Sequence, residues 1–541
     1  MAGGLLSIVS EGSANIILTG NPSKTFFKTT YCKYTNFGLQ KFRLDYDGSR
    51  ELKLTQPSTF TFKMKRYADL LMDTYLVVNL PDIWSPVWEP SESTGEVYSP
   101  YNFKWINDLG TQMIEEIEIT CGSMTLQKYS GRYLSAMVDR DFSSEKKELF
   151  NEMTGNVAEY NDPAHWNARA KNLVGGGYYY PNAAYTTNSD GAEPSIRGKT
   201  LYIPLNTWFT LQSKCAFPLV SLQYNELVIN VTMRPIQDLF KVRNVKDTPN
   251  VVPNFTPYVR PDFNNSDFHM YRFLQTPPST SLDKDNYSNQ TQTWNADVHL
   301  LSTYCFLSED EQQLFAAKDQ VYLVKDIFEY TFLDVIGSSR VKLESSSGLV
   351  SSWMWYFQRN DAFMRNEWTN YSNWAYESIP QNIILDSTMN LYITGNFNSG
   401  NHYEIMETGA ILLSGEFREN TQPSEVYNYV EKYTRTAGCA KNGLYCYNFC
   451  LDTSPYTYQP SGALNMSKFK NIELEFTTFL PPLDSEGSNL EINCDEDGQP
   501  VSIVQKPAGS LYAYNYNLYL FEERYNILSF IGGNCGMMYA R

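Results

Sequence analysis

The sequence predicts an all-β protein with two domains, and three observations support this. The chain has 541 residues, whereas a single hydrophobic core stops growing at roughly 250 to 300 residues. Aromatic residues make up 15% of the chain, with 40 Tyr and 30 Phe, and aromatic side chains are enriched in strands. Apolar residues also recur at every second position in several segments, which is typical of strands with one buried face.

Strand-like segments run through the first half of the chain. Phe60, Phe62 and Met64 alternate with polar residues, and the apolar run at 74–80 ends at Pro81, as expected of a strand followed by a breaker. Two more alternating stretches have their apolar residues at Ile117, Ile119 and Cys121 and at Leu227, Ile229 and Val231. The first half therefore predicts several half-buried strands.

Only short helices are predicted between these strands. Residues 144–149 are good helix formers, and Gly155 is a suitable C-terminal stop. Ser308 and Glu311 have the spacing of a capping box, in which each side chain bonds the other residue's backbone.

The second half repeats the strand pattern. Residues 321–333 and 340–343 are strand-like, and a period-two stripe of Tyr and Leu runs from Tyr512 to Leu520. Residues 222–229 and 469–476 have similar patterns about half a chain apart. This similarity predicts an equivalent late strand in each half.

A proline-rich segment separates the two halves. Residues 244–295 contain six prolines among polar residues, which excludes a regular sheet core. We therefore predict an N-terminal arm and first domain over 1–243, a connection with surface loops over 244–295, and a second domain over 296–541. Four further long loops are expected at 84–102, 175–200, 360–378 and 483–500.

The stretch at 458–467 is the most specific motif in the chain. Pro460 suits the second position of a four-residue turn because its φ is fixed, and Gly462 suits the fourth. Beyond it, residues 472–476 alternate as a strand that buries Ile, Leu and Phe and leaves two Glu facing water.

This stretch resembles the late-strand signature of the major capsid proteins of nucleocytoplasmic large DNA viruses. Four other segments resemble signatures of the same family, in the family's order: residues 19–28 with 34–37, 203–226, 303–311, and 525–533. The resemblance therefore covers almost the whole chain.

The resemblance implies two consecutive eight-stranded antiparallel jelly rolls with short helices and long loops. It further implies a homotrimeric pseudo-hexagonal capsomer that tiles the icosahedral shell of the virion and is made in the host cytoplasm. Neighbouring trimers, minor capsid and penton proteins, and an inner membrane reached through minor proteins are the implied partners. Pro460, Gly462 and Asn465 are then expected to shape the second jelly roll and to bind nothing.

Charge and cysteine content agree with such a structural role. The net charge is −17, so the chain as a whole should repel nucleic acid, and no direct nucleic-acid partner is predicted. The 9 cysteines lack the dense spacing of a disulfide scaffold, which favours a reducing compartment. No signal peptide or membrane span is predicted either.

The sequence predicts no catalytic residue, no cofactor and no metal site. Its 4 histidines form no ligand pair, and the thiol cluster at Cys439, Cys446 and Cys450 lacks the fourth ligand of a structural zinc site. The acidic loop at 493–498 begins like a calcium loop, but Val504 stands where an acidic ligand is required. Buried thiols and a solvated loop are the favoured interpretations.

Two pairs of residues are candidates for surface roles. Asn286 and Asn289 begin Asn-x-Ser/Thr triplets in a polar loop and are the candidate glycosylation sites. Trp368 and Trp374 lie in the aromatic-rich segment 353–374 and are candidates for subunit packing or for an outer tower, with packing inside their own domain as the alternative. A carbohydrate-binding jelly roll with exposed aromatic residues is the alternative function.

Overall fold

Strands dominate the structure, which is a computed structural model that describes residues 4–5, 12, 16–46, 48, 50–88, 99–100, 103–161, 163, 194–243, 258–278, 286–373, 377, 402–457, 459–480, 490–494, 500–505 and 514–539. The strands up to residue 307 are β1 (Phe37–Asp45), β2 (Ser58–Lys63), β3 (Leu70–Asn79), β4 (Val87–Trp88), β5 (Ser99–Pro100), β6 (Phe103–Trp105), β7 (Ile114–Cys121), β8 (Met124–Tyr129), β9 (Thr200–Pro204), β10 (Phe217–Pro218), β11 (Leu227–Met233), β12 (Phe240–Arg243), β13 (Tyr258–Val259) and β14 (His299–Leu307). The later strands are β15 (Gln320–Val335), β16 (Ser338–Lys342), β17 (Leu349–Arg359), β18 (Met406–Leu413), β19 (Glu416–Phe417), β20 (Gln422–Pro423), β21 (Leu444–Asn448), β22 (Leu464–Asn465), β23 (Ile472–Thr478), β24 (Leu490–Cys494), β25 (Pro500–Gln505), β26 (Tyr516–Ile531) and β27 (Asn534–Met537).

Helices are short and lie between strands. The α-helices are Ile16–Thr19, Leu109–Gln112, Gly131–Asp141, Ser144–Thr154, Ala158–Asn161, Trp208–Leu211, Glu309–Ala317 and Glu431–Arg435, the last preceded by a π-helical turn at Val426–Val430. Single 3₁₀ turns occur at Ser213–Cys215, Leu219–Ser221, Ile236–Asp238, Ser266–Phe268, Met270–Arg272, Ala362–Arg365 and Met466–Lys468. Among the described residues, no helix has the length and apolar character needed to cross a bilayer.

The N-terminal half is built on two antiparallel sheets. One has the strand order β1-β14-β3-β10, with β9 also paired to β3, and the other has the order β2-β11-β7-β8. Every second residue of β2 and β11 is buried, and these side chains share one core with the buried residues of β3. Two sheets that bury alternating side chains between them form a sandwich. A smaller sheet, β13-β12-β6, packs beside them.

Strand β14 joins the two predicted domains. It pairs with β1 in the register Phe37↔Leu307 to Asp45↔His299, and it also pairs with β3. This strand therefore belongs to a sheet of the N-terminal half, although the predicted second domain begins at residue 296. The positions of the other predicted boundaries stay predictions.

The C-terminal half repeats the arrangement. One sheet has the order β15-β26-β17-β21, with β22 on β17 and β27 on β26, and the other has the order β16-β23-β18-β19, with β20 on β18. Side chains from both sheets meet in a second core that contains Trp353, Trp355, Ile411, Leu474 and Leu520. Two-stranded pairs β24-β25 and β4-β5 complete the described sheets.

Most predicted elements are confirmed. The alternating segments form β2, β3, β7, β11, β15, β16, β23 and β26, although Tyr512 lies outside the described residues. The helix Ser144–Thr154 ends at Gly155 in a left-handed conformation, with φ of 76°. The capping box was wrong, because Ser308 precedes the helix Glu309–Ala317 but its side chain makes no capping bond. Its backbone carbonyl accepts the first helical bond instead, 2.8 Å from the Gln312 nitrogen.

Candidate functional site

The two halves share one continuous core at their junction. Buried side chains of the second half, among them Met354, Tyr356 and Phe521, belong to the same hydrophobic cluster as Leu134 and Leu205 of the first half. Since burial of large apolar side chains is worth roughly 1.5 to 3 kcal/mol each, this shared core fixes one half against the other.

A buried charge cluster lies within this junction, and Arg140 is its centre. This arginine sits in the last turn of the helix Gly131–Asp141. Its guanidinium lies 2.6 Å from Asp141 Oδ2 and 2.8 Å from Glu523 Oε1, which belongs to β26 of the other half. All three side chains are at most 2% exposed. The junction is therefore closed by an ion pair that is almost fully shielded from bulk solvent.

Hydroxyl groups complete the coordination of Glu523. The Tyr133 hydroxyl donates to Oε1 at 2.9 Å, and the Ser352 hydroxyl donates to Oε2 at 2.8 Å. Arg140 also donates to the Ser352 oxygen at 3.1 Å. The carboxylate thus has a charged partner and two hydroxyl donors, as a buried charge requires.

The electrostatics of the two carboxyl groups differ. Burial raises the pKa of Glu523, but the positive charges of Arg140 and Lys325 and the two hydroxyl donors outweigh this effect and lower the pKa to about 2. Burial raises the pKa of Asp141, even though Arg140 lies beside it. Of these two carboxyl groups, Glu523 is therefore the one that holds its negative charge more firmly.

A cavity of about 80 Å³ adjoins this cluster and is lined from both halves. Two polar atoms in its lining, Gln127 Oε1 and Asn206 Nδ2, have no hydrogen-bond partner among the described residues. A polar cavity of this volume has room for a few water molecules. The cavity is thus a polar seam between the two halves.

A second buried ion pair lies elsewhere in the junction. Lys241 of β12 bonds to Glu367, and the two side chains are 4% and 5% exposed. Beside it, Asn366 Nδ2 donates to the carbonyl oxygens of Gln237 and Phe240, each at 2.8 Å. The segment that follows β17 is thus bound to the first half by charge and by backbone contacts.

A third contact is made by two thiols, Cys121 of β7 and Cys535 of β27. A hydrogen bond between them lowers the pKa of Cys121 and raises the pKa of Cys535. Nearby, the Gln223 nitrogen donates to the Gly533 oxygen at 2.9 Å. Both cysteines are buried and free, so β27 is held against the first half without a covalent bond.

Trp368 lies in the junction as well. Its indole nitrogen donates to the backbone carbonyl oxygen of Asp238 at 3.0 Å, and the Arg234 guanidinium lies 4.2 Å from the ring centroid. Trp368 is 9% exposed in the single chain, so most of its surface is used within the chain. Its predicted role in subunit contacts stays a prediction, and Trp374 lies outside the described residues.

The described residues 459–463 contain no hydrogen-bonded turn, and residue 459 lies in a bend. The predicted turn at Pro460 to Gly462 stays a prediction, and Ser461 bonds to residues 451–452. Its carbonyl accepts from the Leu451 nitrogen at 3.2 Å, and its hydroxyl accepts from the Asp452 nitrogen at 3.0 Å.

Gly462 and Asn465 both occupy positions that determine the local course of the backbone. Gly462 has φ of 131°, a conformation that side-chain-bearing residues rarely adopt. Asn465 accepts a hydrogen bond from the Ser467 nitrogen at 3.1 Å and so caps the turn Met466–Lys468, while Pro460 is exposed. The strand β23 that follows alternates as predicted, with Arg340 bound to Glu475.

The remaining predicted residues lie at the surface or apart from one another. Asn286 and Asn289 are both exposed, and Asn289 Oδ1 accepts from the Thr291 nitrogen at 2.9 Å. Cys439 is exposed, whereas Cys446 and Cys450 are buried. Among the described residues, no group of three His, Cys, Asp or Glu side chains could hold a metal ion. Residues 495–499 of the acidic loop lie outside the described residues.

Sequence reasoning missed the residues that close the junction. Arg140 and Glu523 are 383 positions apart, and no local pattern relates them. A signal did exist, because Glu522, Glu523 and Arg524 interrupt the long apolar strand β26. Charged residues in the middle of a buried strand require partners, and this requirement points to a buried ion pair.

Comparison with known proteins shows which protein families the chain resembles. Residues 25–265 match the family model described as "Major capsid protein N-terminus", and residues 311–536 match the one described as "Large eukaryotic DNA virus major capsid protein". The chain is 22% identical over 539 residues to the major capsid protein of Phaeocystis pouchetii virus, with 88% of this chain and 92% of the relative covered. It is also 22% identical over 554 residues to the major capsid protein of Paramecium bursaria Chlorella virus 1, with 100% of each covered.

Solved structures show the same fold. The chain is similar to a protein in the structure titled "PBCV-1 virus capsid, quasi-atomic model", with a TM-score of 0.60, 17% identity, and coverage of 96% of this chain and 100% of that one. The Faustovirus major capsid protein gives a TM-score of 0.59 at 13% identity, with coverage of 97% and 96%. These similarities confirm the predicted all-β double jelly roll. The number of strands in each roll stays a prediction.

Proposed function

Because this chain belongs to the family of major capsid proteins of large eukaryotic DNA viruses, we propose that it is the subunit of a homotrimeric, pseudo-hexagonal capsomer that tiles an icosahedral shell. Its relatives are structural capsid proteins, not enzymes. The alternative of a carbohydrate-binding surface protein is not favoured, since the curated relatives are capsid proteins.

The fixed junction is the observation that supports the capsomer. A shared core and two buried ion pairs hold the halves together, so each chain presents two similar sandwiches in one rigid unit. Three such chains around a threefold axis place six similar domains in a ring. A ring of this kind has a nearly sixfold outline, which suits tiling of a flat facet.

The same proposal assigns the binding partners of the protein and its location in the virion. Neighbouring trimers contact each other along the facets, and minor capsid and penton proteins complete the shell and connect it to an inner membrane. The protein lies in the outer capsid of the virion after synthesis and assembly in the host cytoplasm. With a net charge of −17, the body of the protein repels the phosphate backbone and makes no direct nucleic-acid contact.

Individual residues have roles in this proposal. Pro460, Gly462 and Asn465 shape the approach to β23 and bind no ligand. Asn286 and Asn289 are the sites at which glycans attach, since both are exposed. Intact mass before and after glycosidase treatment, with an N286Q/N289Q variant as control, tests the second assignment.

The decisive test of the capsomer is its native mass. Three chains of 62.1 kDa total about 186 kDa, and this species should appear in native mass spectrometry at physiological salt. Negative-stain images of the same fraction should show a hexagonal outline. A species that stays at 62.1 kDa over the full range of concentration and salt would refute the homotrimer.

A further inference from the structure

An N-terminal arm, residues 16–36, extends from the first sandwich with its apolar side chains in solvent. Phe26, Phe27, Tyr31 and Tyr34 are 86 to 98% exposed, and Ile17 is 87% exposed. Within the arm the Lys24 amine lies 5.3 Å from the centroid of the Phe26 ring, which is a local contact. Large apolar side chains that are exposed together in a soluble protein mark an interaction surface.

The charge of the arm is opposite to that of the rest of the chain. Residues 16–36 contain Lys24, Lys28 and Lys33 and no Asp, Glu or Arg. The chain as a whole carries −17, so without these three lysines the net charge would be −20. The arm is therefore a basic aromatic segment on an acidic protein, and its partner should be an acidic surface with apolar groups.

Such a surface lies at the root of the arm, and we call it the edge patch. Phe37 and Leu39 of β1 are 53% and 54% exposed, and in the register of the sheet they lie beside Leu307 and Cys305 of β14. Leu307 and Phe315 are themselves only partly buried in a small cluster around Cys305. The edge patch is thus a small core with one side uncovered.

Acidic groups border the edge patch. The helix Glu309–Ala317 begins with Glu309, Asp310 and Glu311, and the first two are exposed. The negative charges of Asp69 and Glu311 raise the pKa of Cys305 further after burial has raised it, which places both carboxylates near the apolar cluster. In addition, β1 ends its sheet in the described strand order, and an edge strand can accept an extended segment.

We propose that the arm of one copy docks on the edge patch of a second copy of this chain. The aromatic side chains cover the apolar cluster, and the lysines face the acidic helix. Every copy carries both surfaces, so each donates one arm and receives another, as in a head-to-tail ring or between neighbouring capsomers. The proposal rests on self-assembly of the chain as proposed above, and it names the segment that makes the contact.

A cross-linking experiment tests the contact directly. Cys32 of the arm is exposed, and Cys439 is the other exposed cysteine among those described. We would prepare the full chain with C439S and with Q313C on the acidic helix, and assemble it from mixed ¹⁴N- and ¹⁵N-labelled copies. A short bismaleimide should join residues 32 and 313 in peptides of mixed isotope content, and adding C32S should abolish these products.

Reversing the charges of the arm, and then those of the acidic helix, provides the matched control for the cross-linking experiment. K24E/K28E should lower the yield of mixed-isotope cross-links about tenfold at low salt, because two attractive pairs become repulsive. Adding E309K/D310K to the same chain should restore the yield. Both changes lie on exposed side chains outside the two cores, and circular dichroism confirms that each variant is folded.

The outcomes separate this inference from the proposed function. A 186 kDa species with no mixed-isotope product, or with products of a single isotope only, overturns the docking and leaves the capsomer intact. A strictly monomeric chain overturns the capsomer itself. Arm-dependent binding to duplex DNA or to phosphatidylserine vesicles, without mixed-isotope cross-links, would show that the arm serves an anionic partner and would also overturn the inference.

Discussion

Replacing Glu523 by glutamine removes the charge that closes the junction while keeping the shape of the side chain. In the native protein the carboxylate lies 2.8 Å from Arg140 and accepts hydrogen bonds from Tyr133 and Ser352. Glutamine retains acceptor and donor atoms for the hydroxyl groups but leaves Arg140 with Asp141 as its one close carboxylate among the residues that the structure describes. We therefore expect E523Q to fold with a weakened junction.

The magnitude follows from two independent arguments. Removing one partner of a buried ion pair costs about 3 to 5 kcal/mol, and Asp141 remains, which favours the lower end. The pKa of Glu523 falls from its ordinary value of 4.5 to about 2 on folding, and at about 1.4 kcal/mol per tenfold change in proton affinity this gives roughly 3 kcal/mol. Because the folded-state pKa is depressed, this stabilisation is fully present above pH 4.5 and is lost as the pH falls towards 2.

The assay compares thermal unfolding of the wild type, E523Q and the exposed control E148Q. Unfolding entropy of about 2.1 cal/mol/K per residue gives roughly 1 kcal/mol/K for the whole chain, so E523Q should unfold about 3 °C lower at pH 7 if the chain unfolds as one unit. At pH 3.5 the difference should shrink to about 2 °C. Equal midpoints for E523Q and E148Q at pH 7, or a gap that widens in acid, would refute the reasoning.

Three further changes test other parts of the structure. K241M should cost about 3 to 5 kcal/mol, because it leaves Glu367 buried without its cation, and K241M/E367M should recover most of this loss in the same unfolding assay. G462A should lower the free energy of unfolding by about 1 to 3 kcal/mol, because φ of 131° is strained for alanine, whereas G536A, with ordinary contacts, should cost less than 1 kcal/mol. W368F removes the bond to the Asp238 oxygen and should cost about 1 kcal/mol while the native mass stays unchanged; a loss of the trimer alone would assign Trp368 to subunit contacts.

The strands were predictable because their periodicity is a local property. Each buried residue of β11 or β23 is separated from the next by one partly exposed residue, and this alternation is visible without knowledge of the partner strand. The helix Ser144–Thr154 was predictable for the same reason, since its Gly155 stop lies within the segment itself. The resemblance to the capsid protein family also depends on short local motifs, such as the stretch at 458–467.

Long-range pairings could not be predicted in the same way. Nothing in the sequence of β14 shows that it joins the sheet of β1 and β3, because strands of either half have the same alternation. The contacts of the stretch at 458–467 were not predictable from its residue types either. These types suit a turn, but the bonds from Ser461 to Asp452 and Leu451 depend on a segment that ends nine residues earlier in the chain.

The position of the charged residues explains why a double sandwich can behave as one body. The shared apolar core holds the halves together, but the hydrophobic effect that drives its burial is non-directional. The Arg140 guanidinium bonds to Glu523 and Ser352 on adjacent strands of the second half, and these bonds have fixed directions. A small rotation of one half would therefore break buried charged bonds before it lost much apolar contact. In the proposed capsomer each subunit presents two similar domains at a fixed angle, and directional bonds of this kind would favour one orientation at a junction where a hydrophobic pair would also have packed.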